Sequence, residues 1–127
     1  MKERVPHVLI VDDDAAIRRM LSRHLTLDGF TVAEAENGQA ALAYLRNGGE
    51  ASVILLDLRM PVMDGWTFRR EQRLDPTLAH IPVVVLSGAD ADRFHELDAA
   101  AAFDKPARMS DLVPCLRHLC GSTRTTT

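Results

Sequence analysis

Short apolar runs alternate with helical patterns along this chain, and that alternation restricts the folds open to it. Residues 8–11, 53–56 and 82–86 are almost entirely apolar and rich in β-branched side chains. Uninterrupted runs of this length are typical of strands buried on both faces, as in parallel sheets. Between them, apolar residues recur every three or four positions, as on helices packed along one side. The sequence therefore predicts an α/β protein with helices on both faces of a parallel sheet.

Turn and cap residues mark the ends of the predicted elements. Strands are expected over residues 8–11, 31–35, 53–56, 82–86 and 101–103. Helices are expected over residues 15–27, from 38 until the Asn47 turn, and over 65–74, 92–98 and 111–119. Asp14 is expected to cap the first helix and Ser110 the last, with Pro114 in the first turn of that last helix.

Length and charge limit the class of protein. With 127 residues, the chain is long enough for about one domain, expected over residues 1–120, and the polar segment 121–127 is expected to be disordered. A net charge of −3 and a single Trp and Tyr disfavour nucleic acid or an anionic membrane as a direct partner.

The N-terminal apolar run and the cysteines point to the compartment. The run at residues 8–11 meets three aspartates at once, so we predict neither a signal peptide nor a membrane span. Cys115 and Cys120 would lie on different faces of a helix, which disfavours a disulfide. The chain is therefore expected to be cytoplasmic.

Polar side chains follow four of the predicted strands. Asp12 and Asp13 follow the first strand, Asp57 ends the third, Ser87 follows the fourth and Lys105 follows the fifth. The carboxyl ends of parallel strands lie at one edge of a sheet, where ligands bind in such folds. These side chains are therefore expected to converge.

Three converging carboxylates repel one another unless a cation lies between them. Mg²⁺ prefers such oxygen ligands, and the absence of His and Cys from the predicted edge argues against zinc. Together with a metal ion, the Lys105 ammonium and the Ser87 hydroxyl could bind phosphoryl oxygens. Asp57 could then act as a nucleophile.

Each of these residues also has a simpler interpretation. An Asp after a strand is often only a helix cap, which is what we expect of Asp14. Ser87 before Gly88 could be a turn residue, and Lys105 a solvated charge. Pro106 could be an ordinary loop proline or follow a cis bond that directs Lys105 inward. The functional interpretation is favoured for the residues at matching strand ends, which are Asp12, Asp13, Asp57, Ser87 and Lys105.

Four segments in order carry a family resemblance: LIVDDD, LLDLRMPVMDGW, VVVLSGAD and FDKP. Together they resemble the receiver domains of two-component response regulators, over about residues 6–120. The resemblance implies a flavodoxin-like, doubly wound five-stranded parallel sheet with strand order 2-1-3-4-5. It suggests a stand-alone receiver, and the alternative is a receiver that is part of a hybrid kinase or a larger regulator.

The resemblance also implies a metal site. Asp13 and Asp57 would bind Mg²⁺ directly, the backbone carbonyl of Arg59 would be a third ligand, and Asp12 would act largely through water.

The resemblance further implies phosphorylation of Asp57 by a histidine kinase or a histidine phosphotransfer protein. Ser87 would hydrogen-bond the phosphoryl oxygen and begin the switch, and Lys105 would form an ion pair with the phosphoryl group. By the same resemblance the chain would be no enzyme beyond its own phosphorylation and dephosphorylation.

Three departures from the family pattern lie on the face of the fourth helix, fifth strand and fifth helix. The interval from Ser87 to Lys105 is about one helical turn short, which predicts a shortened fourth helix. Ala102 stands where the family's switch aromatic is usual, so either Phe103 takes that role or the switch is missing. Ala107 replaces a bulky residue. In the family this face commonly carries output or a phosphorylation-dependent dimer, and the downstream partner is left open.

Two other functions are compatible with part of the sequence. A phosphatase of the haloacid dehalogenase type usually has a second acid two positions after the nucleophile, but Arg59 stands there. A phosphorylation-independent interaction module would explain the altered output face, but receivers of that kind usually lack an acidic, hydroxyl or lysine position, and all are present here.

Overall fold

The computed structural model describes residues 6–88 and 97–122, and within them five parallel strands form one sheet. The strands are β1 His7–Val11, β2 Thr31–Ala35, β3 Val53–Asp57, β4 Val83–Ser87 and β5 Ala101–Asp104. The helices in these ranges are α1 Ala15–Leu27, α2 Gly38–Arg46, α3 Gly65–Leu74 and α4 Met109–Ser122. Among these helices, none has the length and apolar character that crossing a membrane requires.

The sheet order is β2-β1-β3-β4-β5, which confirms the predicted topology. Parallel pairing aligns the strand ends, since Val11 is opposite Leu56 and Leu86 is opposite Asp57. The residues that follow β1, β3 and β4 therefore emerge side by side at one edge.

Both faces of the sheet are covered, as the apolar runs predicted. Alternate residues of β1 point to opposite faces: Leu9 and Val11 belong to the core cluster shared with α2 and α3, and Val8 and Ile10 to the cluster shared with α1 and α4. Every residue of β3 is buried. The central strands are thus fixed on both sides, which holds their carboxyl ends in place.

The start of the last helix was predicted wrongly. Helix α4 begins at Met109, and the backbone N–H groups of Asp111 and Leu112 donate to the Arg108 carbonyl. Ser110 is therefore inside the helix, and Pro114 lies beyond its first turn. The helix extends backward because Met109 and Leu112 pack against the same core cluster.

Two predicted segments lie mainly outside the described residues. One is the shortened fourth helix expected over 92–98, so that the predicted fifth helix is the one labelled α4 here. Of that segment only Leu97 and Asp98 are described, and they form a turn. Of the expected tail, Gly121 and Ser122 belong to α4, and residues 123–127 are outside the described part. Both the short helix and the disordered tail therefore stay predictions.

Candidate functional site

Three aspartates meet at the carboxyl ends of β1 and β3. One carboxylate oxygen each from Asp12, Asp13 and Asp57 lies within 4.8 Å of the others. Asp12 and Asp57 are buried, with 2% and 7% of their surfaces exposed, whereas Asp13 is exposed. The convergence expected from the strand ends is therefore present.

Lys105 reaches this cluster from the end of β5. Its Nζ lies 2.9 Å from Asp12 Oδ2 and 3.2 Å from Asp57 Oδ1. Its backbone N–H donates to the Ser87 carbonyl at 3.1 Å, and the bond between Lys105 and Pro106 is cis, as one of the two interpretations of Pro106 required. Lys105 is thus an ion-pair partner of both aspartates.

Ser87 completes the edge at the end of β4, and its side chain is buried. Together the strand ends form an open cleft of about 330 Å³. The residues lining it are Asp12, Asp13, Asp14, Ile17, Asp57, Arg59, Ser87, Gly88 and Lys105. All six predicted site residues line this one cleft, although their chemical roles stay predictions.

Charge in the cleft is unbalanced. Burial raises the pKa of Asp57, the neighbouring Asp12 carboxylate raises it further, and the Lys105 ammonium opposes both. For Lys105, burial lowers the pKa, but the hydrogen bond to Asp12 and the charges of Asp12 and Asp57 outweigh it, so the pKa is raised overall. Within the cluster itself, the carboxylates of Asp12, Asp13 and Asp57 outnumber the Lys105 ammonium, which favours a further cation there.

This donor set fits Mg²⁺. Carboxylate oxygens within one ion's reach of each other are the hard ligands that Mg²⁺ prefers. Of the described residues that line the cleft, none is His or Cys, the usual ligands of zinc. Arg59 also lines the cleft, which is compatible with the predicted role of its carbonyl.

Gly65 allows the start of α3 to lie close to the end of β3, which defines the path of the loop between them. The Gly65 N–H donates to the Leu58 carbonyl at 2.8 Å, and a Cβ at Gly65 would lie 2.6 Å from the Asp57 carbonyl oxygen. Within the loop, Val62 has a φ of 70°, and the Met63 N–H donates to the Pro61 carbonyl across it. This tight γ-turn keeps the loop short between Asp57 and α3.

Asp14 caps α1, as predicted, because its side chain accepts from the N–H groups of Ala16 and Ile17. Its own N–H donates to Asp12 Oδ1 at 2.9 Å. Sequence reasoning missed Arg18, whose Nη1 donates to the Asp12 carbonyl at 2.7 Å. One feature of the sequence could have indicated this contact. Arg18 lies one turn into the helix that follows the acidic run, and from there its side chain can reach back to the end of β1.

Arg59 also has a contact that was not foreseen. Its guanidinium lies 5.8 Å from the centre of the Trp66 ring, within the range of a cation–π contact. Trp66 packs against the core cluster on the α2 and α3 side. The contact joins the loop after β3 to the start of α3.

Comparison with known proteins gives the family. The model of the response regulator receiver domain matches residues 8–117. Response regulator PleD of Caulobacter vibrioides is 40% identical over 97 residues, which are 75% of this chain and 21% of PleD. Response regulator MprA of a Mycobacterium species is 35% identical over 120 residues, 91% of this chain and 51% of MprA. The chain thus spans between a fifth and a half of these relatives.

Comparison with solved structures supports the same family. The receiver domain of a signal transduction histidine kinase from Syntrophus aciditrophicus superposes with a TM-score of 0.89 at 26% identity, covering 97% of this chain and 96% of that one. Chemotaxis protein CheY4 of Vibrio cholerae gives a TM-score of 0.83 at 29% identity, covering 91% and 99%. With the family model matched over most of its length, the chain belongs to the receiver domains of two-component response regulators.

Proposed function

We propose that this receiver domain is a switch in which Asp57 accepts a phosphoryl group. The observation that carries the proposal is the position of the Asp57 carboxylate, which opens to the cleft beside two other aspartates and lies 3.2 Å from the Lys105 ammonium. Membership of the receiver family supports a signalling role rather than that of a conventional enzyme.

Asp12, Asp13 and Asp57 would hold Mg²⁺, and the Arg59 carbonyl would be a further ligand. When bound, the ion supplies positive charge that offsets the charge of a phosphodonor's oxygens. The excess of carboxylate over ammonium in the cleft supports this assignment.

The chain's own residues account for the transfer. An Asp57 carboxylate oxygen forms a bond to phosphorus as the bond from phosphorus to the donor's leaving group breaks, with that electron pair departing on the leaving group. Lys105 exchanges an aspartate partner for a phosphoryl oxygen, and the Ser87 hydroxyl donates a hydrogen bond to another. Both groups already stand at the cleft.

The phosphodonor would be a histidine kinase or a histidine phosphotransfer protein, which the family membership supports. The signal would be passed on by conformational changes on the face formed by β5 and α4. There Ala102 is exposed, and Phe103 packs partly buried against the core cluster under α1 and α4. Either Phe103 takes the role of the family's switch aromatic, or this chain responds without one. In both cases the output would be altered binding of a downstream protein or of a second copy of the chain.

Phosphorylation of purified protein tests the proposal. With acetyl phosphate and Mg²⁺, the wild type is expected to gain one phosphoryl group, seen by intact-protein mass spectrometry, and to lose it in base. The gain disappears without Mg²⁺ and in Asp57→Asn, which lacks the nucleophilic carboxylate. Asp64→Asn is the matched control on the same loop, because Asn can replace Asp as the α3 cap. An equal gain in Asp57→Asn would overturn the assignment.

A further inference from the structure

A buried guanidinium lies on α3, on a side chain that the phosphoryl chemistry does not use. Only 7% of Arg69 is exposed. Its Nε donates to the Leu97 carbonyl at 2.8 Å, its Nη2 to the Asp98 carbonyl at 2.8 Å, and its Nη1 to Gln72 Oε1 at 2.7 Å. Burial lowers the pKa of Arg69, and the nearby Arg73 lowers it further against the opposing charge of Asp98. A charge is tolerated at such a site only because its donors are well bonded.

Gln72, one turn further along α3, is fully buried and bonded at both ends of its amide. Its Oε1 accepts from Arg69, and its Nε2 donates to the Leu78 carbonyl at 2.9 Å and to the Ile81 carbonyl at 3.0 Å. We call Arg69 and Gln72 together the α3 clamp. The clamp joins the segment that enters β4 to the segment that enters β5.

The clamp is connected to the cleft through backbone pairing. Just after the clamped carbonyls, the Ala100 N–H donates to the Val83 carbonyl at 2.9 Å. Pairing of β4 with β5 then continues to Ser87 opposite Asp104, and the next N–H, of Lys105, donates to the Ser87 carbonyl. Because β5 is an edge strand of four residues, it is held by β4 on one side only. Its position therefore depends on how its entry is anchored.

We propose that Arg69 and Gln72 are positioning residues for phosphoryl transfer, because they hold the entries of β4 and β5 and so fix Ser87 and Lys105 at the opposite ends of those strands. The inference rests on the proposed function. Neither clamp residue touches the reacting atoms. The side-chain hydrogen bonds of the clamp go to residues outside β1 and β3, the strands whose carboxyl ends carry the metal-binding aspartates. Loss of the clamp should therefore affect the positions of Ser87 and Lys105 more than those of the metal-binding carboxylates.

Arg69→Met tests this, since it keeps an unbranched stem of four heavy atoms and removes all three donated bonds. Two quantities are measured on the full chain: the initial phosphorylation rate with acetyl phosphate at saturating Mg²⁺, and the Kd for Mg²⁺ by calorimetry. We expect the rate to fall about tenfold, since small misplacements of reacting groups are costly. The Mg²⁺ Kd should not increase, because a displaced Lys105 no longer competes with the ion for Asp12 and Asp57. General loss of structure would instead weaken Mg²⁺ binding.

Arg117→Met is the matched control. The Arg117 guanidinium also donates to a backbone carbonyl, that of Asp28 at 2.9 Å, but it anchors the turn between α1 and β2. Both its rate and its Mg²⁺ Kd are expected to match the wild type. A fall in rate equal to that of Arg69→Met would show a nonspecific effect and overturn the proposal.

A double-mutant cycle with Lys105→Met tests the route. If Arg69 acts through the position of Lys105, Arg69→Met lowers the rate much less in the Lys105→Met background than in the wild type. Equal fold-changes in both backgrounds would contradict this route.

Arg69→Lys keeps the test decisive if Arg69→Met does not fold, as judged by circular dichroism. An ammonium retains the charge without the fork that spans three acceptors, so an intermediate loss of rate is expected without a loss of Mg²⁺ affinity. If the folded Arg69 variants are phosphorylated at the wild-type rate while Lys105→Met is impaired, the positioning role of the clamp is refuted and the proposed function is not. An unphosphorylated wild type would instead refute the proposed function.

Discussion

Gly65 sets how closely α3 approaches the end of β3. A Cβ there would lie 2.6 Å from the Asp57 carbonyl oxygen and 2.8 Å from Leu58 Cα, and both are backbone atoms that cannot rotate away. The short distance brings the first turn of α3 next to the candidate phosphoacceptor. At this scale, one missing side chain is as necessary to the site as the carboxylates are.

Gly65→Ala is therefore expected to lower the free energy of unfolding by about 1–3 kcal/mol, the usual cost of overpacking. Urea denaturation measures the change. Gly121→Ala is the control, because its Cβ would have no heavy atom within 4 Å and the residue lies inside α4. It should change stability by less than about 1 kcal/mol. Equal effects of the two substitutions would contradict the close-approach explanation.

Helix α3 contacts the sheet at both the carboxyl ends and the amino ends of its strands. Its first residue packs on the end of β3 at the cleft, and its later turns carry the clamp to the entries of β4 and β5. Asp64 caps the start of the helix, and its side chain accepts from the Thr67 N–H at 2.8 Å. The start of this helix is thus defined by a local cap and its direction by distant contacts.

Asp64→Ala is expected to destabilise the protein by about 1 kcal/mol, since the Thr67 N–H loses its acceptor at the helix start. Asp64→Asn keeps an acceptor and should stay close to the wild type. Urea midpoints at constant slope give the comparison. If both substitutions cost the same, the loss comes from the charge and not from the cap.

At the scale of the molecule, aspartates from two distant parts of the sequence, Asp12 and Asp13 in one and Asp57 in the other, meet at one edge of the sheet. Burial and Asp12 disfavour the ionised form of Asp57, as its raised pKa indicates. In the absence of a metal ion, folding therefore brings the three carboxylates together against their mutual repulsion, which Lys105 offsets only in part. A bound metal ion would favour the folded state. Metal binding at this edge should be visible in the stability of the entire domain.

Mg²⁺ at a hundred times its Kd is expected to add about 2.7 kcal/mol to the free energy of unfolding. Chelation by EDTA should reverse the gain, and Asp13→Asn should reduce it because one ligand is lost. In EDTA, Asp57→Asn is expected to be at least as stable as the wild type, since it removes an unfavourable buried charge. Denaturation with and without Mg²⁺ measures all of these, and a wild type insensitive to Mg²⁺ would contradict the metal site.

Much of this architecture could be predicted from the sequence because its determinants are local. Alternation of apolar runs with helical periodicity indicates strands and helices from neighbouring residues alone, and Asp14 caps α1 within three residues of itself. Since parallel strands share an edge, the residues at their ends could also be assigned to one cleft. The start of α4 was misjudged because Pro114 and Ser110 are local signals, whereas packing of Met109 on the core decided the boundary.

Tertiary structure alone decided the contacts between segments far apart in the chain. Lys105 meets Asp12 from 93 residues away, and Arg69 reaches Leu97 across 28 residues. No sequence period distinguishes a buried Arg on α3 from the solvated ones beside it, because its burial depends on which carbonyls the folded chain brings to it. The fold class and the six candidate site residues could thus be predicted from the order of residues along the chain. The folded chain determined their distances, the charge imbalance and the clamp, since these depend on where distant backbone segments come to lie.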